Sequence, residues 1–137
     1  MITEYNFTSH RFKPTPGELD EAHDDFINPG IFARELAEFL ISGLAQEGYA
    51  VKDRIVEDWG NWIEVQHDGK FALAVCCANL EDLGNGLTRH RVTTDPSTPH
   101  IRKFLRKIDV QPTVQALSAA LSRILAGSPD ITDITTG

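Results

Sequence analysis

The chain has 137 residues, of which 41% are hydrophobic and 24% charged, and its formal net charge is −7. That length suits one domain able to bury roughly two-thirds of its unfolded surface, and the acidic balance argues against nonspecific nucleic-acid binding. No apolar run approaches the roughly 20 residues of a membrane span, and the opening "MITEYNFTSHRF" lacks the basic end and apolar stretch of a signal peptide. The expectation is a cytoplasmic protein that binds neither membrane nor nucleic acid.

The first segment, "ITEYNFTSHRF", alternates apolar and polar residues and is expected to form a strand. "KPTPGELDEAHDD" follows with two prolines, a glycine and five acids, and reads as a solvated loop closing the region 1–30. A helix is expected over 31–48, with Asn28 as its cap, Pro29 at its first position and Gly48 ending it. Ile31, Phe32, Leu36, Phe39, Leu40 and Leu44 make its apolar stripe.

An antiparallel meander spans 49–94: "YAVKDRIVEDW", "NWIEVQH", "KFALAVCCANL" and, after the polar loop "EDLGNG", "LTRHRVTT". Gly60-Asn61 and Asp68-Gly69 are favoured two-residue hairpin turns. "LTRHRVTT" is a candidate edge strand, protected by its arginines and histidine. C-terminal helices fill 98–127, first "TPHIRKFLRKI" and then "PTVQALSAALSRILAG", before a short closing strand at "DITDITT". The expected fold is a single α+β domain, 1–137. It would hold one largely antiparallel sheet of about four to six strands with helices packed on one face, a two-layer sandwich.

The two turns also define a register. With Gly60-Asn61 as the turn, Trp59 opposes Trp62 and Glu57 opposes Glu64 on one face; Asp68-Gly69 then places Gln66, Phe71, Leu73, Val75 and Cys77 beside them. The other face would carry Val56, Ile63, Val65, Ala72, Ala74, Cys76 and Ala78, small enough for a helix to lie close. Opposed carboxylates beside indoles are costly unless one is protonated or a cation intervenes. The cations on offer are Arg89 and Arg91, which share a face of the fourth strand. The expected binding set is therefore Trp59, Trp62, Glu57, Glu64, Gln66, Arg89 and Arg91.

Other chemistry has less support. Cys76 and Cys77 are adjacent, so strand geometry points them to opposite faces and favours reduced, structural thiols. "ELDEAHDD" supplies acids without the EF-hand spacing, and the histidines lack a zinc spacing. No metal or cofactor is expected. Charge is uneven: −10 over 1–88, +5 over 89–107 and −2 over 108–137, with Arg102, Lys103, Arg106 and Lys107 along one helix. In size, charge and element order the chain resembles small acidic secretion chaperones and toxin-immunity proteins. That likeness assigns no site.

The expected function is that of a small acidic binding or interaction protein (adaptor, chaperone-like or immunity-like) using the Trp59/Trp62 face on a protein partner or small ligand. A homodimer is the expected assembly. The alternative is a small enzyme with Glu57 and Glu64 as an acid-base pair.

Overall fold

A computed structural model describes residues 3–69, 71–96 and 110–137 of the chain. Six strands form one antiparallel sheet: β1 (Glu4–Ser9), β2 (Val51–Glu57), β3 (Gly60–Val65), β4 (Leu73–Gly84), β5 (Leu87–Asp95) and β6 (Thr132–Thr136). Their spatial order is β2-β3-β4-β5-β1-β6. Helices α1 (Arg34–Gln46) and α2 (Gln111–Ala126) pack against each other and against one face of that sheet. This is the expected α+β single-sheet fold. The basic helix expected at 98–108 lies outside the described residues.

Strand alternation and helical period meet in one core. Phe7, Ile63, Leu73, Val75 and Val92 point from the sheet, while Leu36, Leu40, Leu44, Leu117, Leu121 and Leu125 point from the helices; all are at most 1% exposed. The helices can cross closely because Gly43 has no side chain. A Cβ there would come within 2.7 Å of Ile124 Cγ2.

The first helix starts three residues later than its sequence suggests. Asn28, Pro29 and Gly30 form a turn instead, with Ile31 N–H donating to Asn28 O at 3.0 Å and Gly30 at φ 82°. Asn28 spends its side chain on Asp58 O, at 2.8 Å. The cap comes from a distant acid. Glu18, on a short 3-10 turn (Gly17–Leu19), accepts from the N–H groups of Ala33 (2.5 Å) and Arg34 (2.9 Å). Its other oxygen accepts from Thr15 N–H and Thr15 Oγ1, both at 3.0 Å. A carboxylate on the first free N–H groups satisfies donors that no helical carbonyl reaches.

The acidic segment is thus solvated only in part: Asp20, Glu21 and Asp24 are exposed, while Glu18 and Asp25 are built in. Asp25, 8% exposed, lies between Arg34, in a short contact with Nη1, and Arg54 Nη2 at 3.1 Å. Arg54 also donates to the buried Asn61 Oδ1 at 2.5 Å. Burial raises the Asp25 pKa, but the Arg54 hydrogen bond and the charges of both arginines outweigh it, leaving the group below its ordinary 3.8.

Three features of the meander differ from expectation. The first hairpin turns at Asp58-Trp59, so Glu57 opposes Gly60, Val56 opposes Asn61 and Ile55 opposes Trp62. Gly60 is a strand residue, and its lack of a side chain is needed there. A Cβ would sit 2.3 Å from Cys77 O and 2.8 Å from Ala78 Cβ.

The second hairpin is closed by residues 66–72 rather than by Asp68-Gly69, which shifts β4 by one residue. Ile63 opposes Val75 and Val65 opposes Leu73, so Leu73, Val75 and Cys77 enter the core, while Ala74, Cys76 and Ala78 take the opposite face. His67 clamps that loop: its Nδ1 accepts from Gly69 N–H at 3.0 Å and its Nε2 lies 2.6 Å from Phe71 O.

Third, "LTRHRVTT" is not an edge. β5 lies between β4 and β1, and the edges are β2 and β6. Its arginines point off the open face instead of guarding a free backbone. The expected loop "EDLGNG" mostly continues β4 into a long hairpin, turning at Asn85-Gly86 with φ of 55° and 79°. Positive φ at both central residues is what a type I′ turn requires.

Candidate functional site

The sheet face opposite the helices carries three cross-strand rows, set by the ladder. The central row runs Ile55, Trp62, Cys76, Thr93, Glu4 across five strands. On one side of it lie Asp53, Glu64, Ala74 and Asp95; on the other lie Ala78, Arg91 and Asn6. The small residues in the middle of β4 make a trough between larger neighbours.

Trp59 overhangs that trough. It sits in the β2–β3 turn, 41% exposed, and with Cys76, Cys77, Ala78, Arg91 and Thr93 it lines a hollow of about 230 Å³. Gly60 accounts for the arrangement. Without a Cβ, the turn carrying Trp59 can lie down on Cys77 and Ala78. Arg91 flanks the hollow about half exposed, its Nη1 3.6 Å from Glu4 Oε1. An exposed ion pair at that distance holds its partner weakly and leaves most guanidinium donors available.

The residues expected from sequence are brought together only in part. Trp59, Trp62 and Arg91 share this face. Arg89 is on it too, level with Glu81, one row further along the hairpin. Glu57 and Glu64 do not oppose each other. Glu57 is exposed opposite Gly60, whereas Glu64 opposes Asp53 and has Lys52 Nζ at 3.7 Å. Gln66 lies beyond the end of β3, where its N–H donates to Ala50 O at 2.9 Å. The turn at Asp58-Trp59 is the cause, since it sets each β2 residue against a partner four positions earlier on β3 than a Gly60-Asn61 turn gives.

The two cysteines part as adjacent strand residues must. Cys77 is in the core, and burial pushes its thiol pKa well up. Cys76 floors the hollow; burial, then the Asp95 charge, pushes it up to about 12. At neutral pH it is a protonated, apolar surface element and a poor nucleophile.

Among the described residues, no three His, Cys, Asp or Glu side chains group as metal ligands. No helix among them is long and apolar enough to cross a membrane. Glu18, Asp25 and His90 escaped attention in the sequence as buried groups, because their partners are supplied from other parts of the chain. His90 is 1% exposed, stacked on Phe7 at 5.4 Å and edge-on to Phe12 and Phe32 at 5.5 and 6.0 Å, and neither ring nitrogen has a hydrogen bond. The chain matches no protein-family model, no curated protein and no solved structure.

Proposed function

We propose that this is a small acidic cytoplasmic binding protein, of the adaptor, chaperone-like or immunity-like kind, whose working surface is the open face around Trp59. One observation supports the reading above the others. A large aromatic side chain stands 41% exposed over a hollow with a small-residue floor and a guanidinium at its side. Interface anchors are enriched in Trp, Tyr and Arg because these bury much rigid area and carry directional donors. In this reading the hollow takes an apolar side chain of a protein partner, and Arg91 takes an acceptor beside it.

The test compares partner capture from native-cell extract by wild type, Trp59→Ala and a control, Glu21→Gln, in an exposed part of the acidic loop. Proteins held by wild type and the control, but lost with Trp59→Ala at unchanged circular dichroism, support the reading. Equal capture by all three overturns it. The acid-base alternative loses its geometric footing, because Glu57 and Glu64 are not set across from each other.

A further inference from the structure

The helix-facing side of the long β4–β5 hairpin forms a second cavity, of about 490 Å³, across the sheet from Trp59. That size falls within the range of roughly 300–1,000 Å³ typical of small-ligand sites. Neither helix covers this stretch. The loop before α1 does, and it is firmly held. Glu18 pins it to the helix start, and Asn79 accepts from Phe32 N–H at 2.9 Å while donating to Gly30 O at 2.9 Å. Lys13 Nζ reaches across the rim to Gly86 O, at 2.5 Å. A cavity whose walls are fixed this way charges a ligand little for ordering them.

The lining is chemically specific. Leu19, 71% exposed, together with Ile31 and Phe32, offers apolar wall. Two unlike charges line the same cavity, Lys13 and Asp82, and they form no ion pair with each other among the described residues. Asp82 uses one oxygen on Gly84 N–H, at 2.9 Å, which leaves the other as an acceptor. Lys13 gives one N–H to Gly86 O and keeps two. Glu18, also in the lining, has both oxygens occupied. Thr88 is 7% exposed and lines the cavity. Its hydroxyl offers a ligand one donor and two acceptor lone pairs.

From this we infer that the cavity binds a short apolar peptide in its zwitterionic form. Its carboxylate meets Lys13, its ammonium meets Asp82, a backbone amide meets Thr88, and its side chains lie on Leu19, Ile31 and Phe32. A single cation would call for an anion alone, and an apolar wall alone would call for a lipid or a drug-like ring. The two unpaired charges together select a molecule carrying both signs. The proposal is independent of the Trp59 reading, since the two sites lie on opposite faces.

The probe is the dipeptide Leu-Leu, compared with its N-acetyl form and its C-terminal amide, followed by amide NMR shifts of the full chain. Leu-Leu is expected to shift Phe32, Asn79 and Thr88 saturably, and to bind about tenfold more tightly than either blocked form. Asp82→Asn should bring Leu-Leu down to the affinity of the acetylated peptide, and Lys13→Met to that of the amide. Trp59→Ala should leave all three affinities unchanged. No saturable shift up to about 10 mM, equal binding of blocked and free peptides, or shifts centred on Cys76 and Thr93 would each overturn the assignment.

Discussion

A histidine without a hydrogen bond, enclosed by three phenylalanines, sets the acid response of this protein. Burial, and then the charge of Lys13, pushes His90 down to about 4 from its ordinary 6.5. The unfolded chain therefore takes up a proton between those values while the folded chain does not, and stability falls as pH drops from 6.5 toward 4. The loss should reach about 3 kcal/mol, at 1.36 kcal/mol per pKa unit. Urea unfolding at pH 7 and pH 4.5 measures it. His90→Leu should flatten that slope and stay within about 1 kcal/mol of wild type at pH 7, since it removes two unpaired buried nitrogens. A slope retained in the variant would assign the effect to other groups.

Asp25 acts lower on the scale: its depressed pKa supplies stability above 3.8 that is lost as pH falls further. Removing it takes from two arginines the carboxylate they share, leaving Arg34 with Glu38 and Arg54 with the neutral Asn61, so Asp25→Ala should cost about 3 kcal/mol. Glu18→Ala should cost about 2 kcal/mol, the upper end for a lost cap, and fray the first turn of α1 by amide exchange.

At the scale of elements, Gly60 is the position with least tolerance. An alanine methyl would meet Cys77 O at 2.3 Å, a backbone atom that cannot move aside without opening the β3–β4 ladder. Gly60→Ala should destabilise by about 2 kcal/mol or more and displace Trp59, detected as a red shift in the tryptophan emission as the indole is released to water. The same glycine explains what was legible in the sequence. Helical stripes and strand alternation gave the right elements, because each is a local pattern. Gly60-Asn61 has the composition of a turn, yet Gly60 is required by a neighbour seventeen positions away and Asn61 by the Arg54 guanidinium. Nothing local distinguishes those uses. The caps and locks made by Glu18 and Asp25 were hidden for the same reason. The Trp59, Trp62 and Arg91 surface survived the register shifts because the β2–β3 change was an even one, which preserves strand faces.

For the whole molecule, the two sheet edges, β2 and β6, are where other chains would meet it. β2 is blunted by Lys52, Asp53, Arg54 and Glu57 and by a bulge between Val51 and Asp53. β6 is fully exposed and is broken by Asp133 at φ 53°. Both carry the marks of edges that resist open-ended pairing. A homodimer held partly by charge remains our proposal, on the contrast between −10 over 1–88 and +5 over 89–107. Its affinity should weaken as salt rises from about 0.05 to 0.5 M, because screening shortens to under roughly 10 Å above 0.1 M. Sedimentation at both salts checks this, and a monomer in each ends the proposal.

The place of β1 in the sheet has a consequence for the order of assembly. Its two neighbours are β5, some eighty residues later, and β6, more than a hundred and twenty later. The hairpins of β2 to β5 need only local closure, whereas β1 stays without its second neighbour until the last strand has been synthesised. Contacts so distant in sequence are slow to form, and a strand with a free edge is the exposed partner in any off-pathway pairing. Pulse-labelled hydrogen exchange during refolding should therefore protect the Ile63, Val75 and Thr93 amides, which face the β3–β4 and β4–β5 ladders, before those of Tyr5 and Phe7. The vulnerable interval in this protein's life is the wait of its first strand for its last.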